Sequence, residues 1–260
     1  MRKLIITIIF LFIYNNSASA LVEVDITRGN LNPLPIAVSP LHIVSGSKDI
    51  KQGNKIIKNV GEEISKVIEV NFRRSGLFNP LKKDSFVQNP DIAHIKPRFE
   101  DWRLIKAQAL VTGKVTVSDE KLRVEFRLWD VIAAKEMVAL AFSTTPNNWR
   151  RVAHIISDKV YERLTGEEGY FDTRIIYVSE TGLKTQRYKK LAIMDQDGAN
   201  VKYLTLGNEL VLTPRFNPKN QLVTYLSYFR NFFSYIFYNL CSFFYIFRAR
   251  FNMKRRNCNW

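Results

Sequence analysis

Three histidines, His42, His94 and His154, and two cysteines, Cys241 and Cys258, are the residues of this 260-residue chain best suited to hold a metal or to supply a base or nucleophile. Ligand and catalytic sets betray themselves by spacing, because two side chains serve one atom only when a helix turn, strand or loop brings them together. Here the histidines are far apart on different predicted elements, and both cysteines lie beyond residue 230. His154 adjoins the apolar stripe of a predicted helix, where a hydrogen-bonded structural role is expected. Asp195-Gln-Asp-Gly198 opens like a calcium loop but lacks the remaining ligands and the closing Glu. It reads as a turn after a strand. No G-x-S-x-G elbow, phosphate loop or dinucleotide fingerprint is present, and Trp102, Trp129 and Trp149 are expected in the core. The expectation is a protein without catalytic, metal or cofactor residues that works by binding.

Charge narrows the choice of partner. Of the formal +15, two charges sit on Arg2 and Lys3 and five on Arg248, Arg250, Lys254, Arg255 and Arg256, leaving +8 scattered over residues 21–230. A phosphate footprint needs a clustered stripe, so no nucleic-acid partner is expected. Met1 to Lys3 is a positive start, Leu4 to Tyr14 an apolar run and Ala18-Ser-Ala20 a small-x-small site. Residues 1–20 thus predict a secretory signal peptide cleaved after Ala20. The apolar run is shorter than the ~20 residues of a membrane-spanning helix. Absence of cysteine from residues 21–230 argues against a disulfide framework and suits a periplasmic domain that stands on its core.

The elements follow from periodicity. Leu21, Val22, Glu23, Val24, Asp25, Ile26, Thr27 and Arg28 alternate apolar and polar, the pattern of a half-buried strand. Such a strand lies at a sheet edge or adds to a partner's sheet. Pro35 to Leu41 predicts a second strand. Ile56, Ile57, Val60, Ile64, Val67 and Ile68 predict an amphipathic helix over 55–75 with Gly76 at its C-cap. Residues 84–97 read as irregular, with a short helix over 100–106. Strands over 107–118, 122–132 and 136–142 form a meander. Trp149, Val152, Ile155, Ile156, Val160 and Leu164 predict a last helix ending at Gly166. Two helices on one face of a mixed, mainly antiparallel sheet give an α+β domain over residues 21–165.

Gly166 to Gly169 reads as a hinge into a repeat. Arg174 to Ser179 returns 48 positions later as Leu222 to Ser227, with Tyr177 over Tyr225 and Ser179 over Ser227. Between the copies lie three further strand patterns, one ending at Asp195, one over 201–205 and one over 211–216. Four strands per 40–50 residues is the signature of a β-propeller blade. Residues 166–230 therefore predict the start of an incomplete propeller, about one blade and the beginning of the next.

With Arg150 to Phe171, the Arg174 strand, Met194 to Asn200, Val24 to Asn30 and Pro35 to Val38 in view, the chain resembles the TolB family of the Tol-Pal cell-envelope system over nearly all of residues 21–230. The resemblance implies an α/β domain followed by a six-bladed propeller, no enzymatic activity, and a role in outer-membrane invagination and integrity during cell division. It implies two partners. A TolA-like inner-membrane protein would be bound by the mature N-terminus, carried over to Leu21 through Arg28. The Pal lipoprotein would be bound by the propeller, largely through blades this sequence does not show. A hydrolase of the propeller-peptidase type would need a catalytic domain after the blades.

Residues 231–260 depart from that pattern. They contain no Asp, Glu, Gly or Pro and are crowded with Phe, Tyr, Ile and Asn, so the turns a propeller requires are missing. One reading is an aberrant tail translated after a loss of frame. The other is an envelope protein anchored by a C-terminal membrane segment over 232–247, with basic residues on its cytoplasmic side.

Overall fold

The computed structural model describes residues 32–46, 49–52, 55–118, 120–207, 209–217, 222–229, 232–239 and 247–250, in two compact units divided between Phe171 and Asp172. The signal segment and Leu21 through Arg28 lie outside the described residues.

In the first unit a six-stranded mixed sheet is the framework. Strands β5 (Phe78–Pro80), β1 (Leu34–Val38), β6 (Ala109–Val117), β7 (Leu122–Asp130) and β8 (Lys135–Thr144) lie side by side in that order, and β2 (His42–Ser45) also pairs with β6. The β1, β2 and β5 pairings are parallel; β6, β7 and β8 form the expected antiparallel meander. Alternation decides which residues turn inward. Along β7, Leu122, Val124, Phe126 and Leu128 are buried, whereas Arg123, Glu125, Arg127 and Trp129 face the other way.

The inward face is covered by α1 (Val60–Ser75) and α4 (Trp149–Thr165), which share one core with the sheet. Ile64, Ile68 and Phe72 are fully buried there, each contributing about 1.5–3 kcal/mol relative to exposure. Asn59 caps α1, its side chain accepting from the Glu62 amide. Glu62 and Glu63 in the first turn and Arg73 and Arg74 in the last complement the helix dipole. Gly76 and Gly166 end the two helices in the left-handed conformation. Between the helices, Asn71 Nδ2 donates to Ser157 Oγ at 2.9 Å and to His154 Nδ1 at 3.0 Å.

Two local expectations are corrected. The helix predicted from residue 55 starts at Val60, and Lys55–Ile57 is strand β4, paired with β3 (Ile50–Gln52). Ile56 and Ile57 prolong the helical apolar spacing, but Asn59 adopts φ 48° and the helix begins only after it. Residues 84–97 also hold more order than expected. A 3₁₀ turn (Lys83–Ser85) and α2 (Pro90–Ala93) precede α3 (Phe99–Leu104), and together this stretch covers part of the opposite sheet face. Trp102, Ala37, Leu110 and Val131 form a second small core there. Buried Gln88 holds the stretch closed: its Oε1 accepts from the Arg98 amide and Trp102 Nε1, and its Nε2 donates to the Lys96 carbonyl.

Gly166 to Gly169 does not swing free. A Cβ on Gly169 would lie 2.4 Å from Asp158 Cα of α4, and the Phe171 amide donates to Asp158 Oδ1 at 2.6 Å. Phe171 itself is buried against Phe72 and Tyr161.

The second unit contains two antiparallel sheets. One has the order β11 (Lys202–Tyr203), β10 (Gln186–Asp195), β9 (Arg174–Leu183); the other runs β12 (Leu210–Phe216), β13 (Leu222–Phe229), β14 (Phe232–Asn239), β15 (Phe247–Arg250). Leu191, Val211, Val223 and Tyr225 form the core between them, the blade-on-blade arrangement of a propeller. The two repeat copies are β9 and β13. The strand over 211–216, grouped above with the first blade, instead pairs with β13, because a short hairpin connection favours its sequence neighbour. Forty-eight residues before β12 lies the end of α4, so the first sheet has no counterpart of β12 and keeps three strands.

Phe232–Asn239, expected either to break the pattern or to begin a membrane segment over 232–247, is a strand paired with β13 throughout its length. Aromatic and β-branched residues favour the pleated conformation whatever their origin. Among the described residues no helix is long and apolar enough to cross a membrane.

Candidate interaction surface

The fold unites two of the three histidines. Asn89 caps α2 by accepting from the Asp91 amide, with Pro90 in the first turn. This cap carries Asp91 and His94 over β2. There His42 Nδ1 lies 2.6 Å from Asp91 Oδ1, and the His42 and His94 rings stack with centroids 4.5 Å apart and planes within 9°. With a carboxylate as acceptor, His42 carries a proton on Nδ1. Burial pushes the His94 pKa down; the Pro90 carbonyl opposes this, the charges of His42 and Lys114 add to it, and Asp91 opposes it. No local spacing announces this pair, since His42 lies on β2 and His94 just after α2, and the two meet only in the fold.

Beside His94 the outward face of the sheet opens into a cleft of about 400 Å³, lined by His94 and Ile95, by Gly113 and Lys114 of β6, by Glu125 to Arg127 of β7 and by Ala139 to Ala141 of β8. Ala139 and Ala141, opposite Arg127 and Glu125, leave the space on this face. Glu125 receives Arg123 Nε at 2.9 Å and Lys114 Nζ at 3.2 Å. Arg123 chiefly holds the Glu125 carboxyl below its usual range; burial opposes this, and Lys114 adds to it. Arg127 approaches Glu136 at 3.6 Å and lies over the Trp129 ring at 5.9 Å. The lining offers one carboxylate, two cations and one imidazole, with no hydroxyl or thiol nucleophile. Its charged side chains can recognise a ligand of complementary charge.

The other residues singled out by sequence have hydrogen-bond and packing partners of their own. His154 is buried and hydrogen-bonded to Asn71. Trp102 and Trp149 are buried, and Trp129 packs edge-on against Phe99 while donating to Thr112 Oγ1. Asp195 to Asn200 form a turn: Gly198 takes φ 85°, its amide donates to the Asp195 carbonyl, and Asn200 Nδ2 donates to Asp195 Oδ2 at 2.6 Å. Leu21 through Arg28 precede Asn32 and Pro33, which lead directly into β1, an interior strand with neighbours on both sides.

Residues 22–137 match the family model of the TolB amino-terminal domain, and residues 161–240 match that of the TolB beta propeller domain, in this order along the chain. The chain belongs to the TolB family. A relative described as Tol-Pal system protein TolB, from Pelagibacter ubique (strain HTCC1062), is 76% identical over 216 residues, which are 82% of this chain and 48% of the relative. The crystal structure of TolB from Acinetobacter baumannii shares the fold with a TM-score of 0.69 at 22% identity, covering 88% of this chain and 52% of that one. The chain thus spans about half the length of the TolB proteins it matches. The match to the propeller model runs to residue 240 and so takes in β14.

Proposed function

We propose that this chain is a non-enzymatic interaction component of the Tol-Pal system, exported to the periplasm and acting in outer-membrane invagination and integrity during cell division. The observation that carries the reading is the 76% identity to a Tol-Pal TolB protein across 216 residues.

In this reading the signal peptide is removed after Ala20, and Leu21, Val22, Glu23, Val24, Asp25, Ile26, Thr27 and Arg28 form the strand that a TolA-like inner-membrane protein takes into its own sheet. Residues 21–165 are the domain behind that strand, and the propeller from residue 166 onward contributes to a Pal lipoprotein interface. The test is titration of a Leu21–Arg28 peptide into the carboxy-terminal domain of TolA. Saturable binding is expected, and absence of measurable binding removes these residues from the interface. Sequencing the amino terminus of the exported protein checks the cleavage, which should leave Leu21 first.

A further inference from the structure

Strand β8 is a ten-residue edge. Among the described residues its one strand neighbour is β7, so alternate residues direct their N–H and C=O groups away from the sheet. Natural edges are blunted by charge, proline or bulges. Here those devices are confined to one end, at Lys135, Glu136 and the register shift beside Leu128 and Trp129. From Met137 to Thr144 there is neither charge nor proline, and Ala139, Leu140 and Ala141 are exposed.

The register fixes what a strand added there would meet. Ala139 lies opposite Arg127 and Ala141 opposite Glu125, while Leu140 lies opposite Phe126 on the other face. A long side chain placed beside Ala139 or Ala141 can pass over these small residues into the cleft. There Arg127, Lys114 and Arg123 stand against the carboxylates of Glu125 and Glu136, three cations to two. On the opposite face an added residue meets Leu140, 41% exposed, and Phe142, which packs against the main core. One face asks for acid and the other for an apolar side chain.

We propose that the β8 edge and its cleft dock an extended segment of another protein in which acidic and apolar residues alternate, the segment adding an antiparallel strand to the sheet. This site goes beyond the function proposed above and does not depend on it, since it uses neither the mature N-terminus nor the propeller. Its acidic side chains reach Arg127 and Lys114, and its apolar ones cover Leu140 and Phe142.

The experiment is hydrogen exchange by mass spectrometry on the full chain, with a capped synthetic hexapeptide alternating glutamate and valine as probe. Saturable slowing of exchange within Met137–Thr144 is expected. A lysine–valine peptide, or the Arg127→Glu chain with the original probe, should bind about tenfold more weakly, the loss of one charge-assisted contact. Arg127 is half-exposed, so the reversal leaves the core intact. The proposal is overturned by no slowing with the glutamate–valine peptide or by equal slowing with the lysine–valine peptide. It is also overturned if exchange in β8 without peptide is already as slow as in β7, since that edge would then be occupied by the chain itself or by a second copy.

Discussion

His42 and His94 lie face to face, ring centroids 4.5 Å apart, with Asp91 receiving the Nδ1 proton of His42. Since α2 is a single turn, this contact helps hold it on β2. Two imidazolium ions cannot share that spacing cheaply.

The stack makes stability depend on pH. His94 has its pKa lowered by burial, with the charges of His42 and Lys114 acting in the same direction and Asp91 and the Pro90 carbonyl against them. Above the ordinary histidine value of about 6.5, His94 is neutral both folded and unfolded, and the contribution is complete. As pH falls, the unfolded chain takes up the proton first, so stability is lost progressively down through the folded-state pKa. Thermal unfolding followed from pH 7.5 to 5 should show a falling Tm, with a shallower fall for His94→Asn. An unchanged slope in that variant assigns the dependence to other groups.

Between α1 and α4, buried Asn71 donates to both His154 and Ser157, which are buried as well. Replacing it with Ala removes both buried hydrogen bonds, at a cost of about 1–3 kcal/mol. The expected outcome of Asn71→Ala is a lower urea midpoint with an unchanged slope. Asn71→Asp should cost more, because it also buries a charge.

Gly169 offers a test of how the chain leaves α4. A methyl group there meets the Asp158 backbone at 2.4 Å, and backbone cannot step aside as a flexible side chain would. Gly169→Ala should destabilise the first unit by about 1–3 kcal/mol. It should also loosen Phe171, so that trypsin cuts sooner after Arg163 or Arg174. Wild-type cleavage rates in the variant would show that the segment accommodates the methyl group.

Sequence pattern was most informative where one period ran long. The stripe from Trp149 to Leu164 and the alternation of β6, β7 and β8 are backbone periods repeated often enough to outweigh local exceptions. The errors fell where a short signal met a stronger neighbour. Ile56 and Ile57 fit both the helix that follows and the hairpin they form, and a left-handed Asn59 decides between the two. The β12 strand was placed with the wrong sheet because strand periodicity carries no information about which neighbour it pairs with. For the candidate surface, the charged side chains were visible but not their convergence. Lys114, Glu125 and Arg127 read as scattered polar positions until strand register set them side by side, and Ala139 and Ala141 matter for what they leave empty. The partner strand assigned to Leu21 through Arg28 rests on family resemblance and lies outside the described residues.

The position of β1 bears on mechanics as well as on folding. The chain passes from Asn32 and Pro33 into a strand gripped on both flanks: the Leu34 amide bonds to the Leu77 carbonyl on one side, and the Pro35 carbonyl receives the Gln108 amide on the other. Tension applied to the residues before it, directed along the strand, loads these bonds together in shear and cannot peel them away singly. A tether attached there would be anchored at the part of the sheet most resistant to being drawn out.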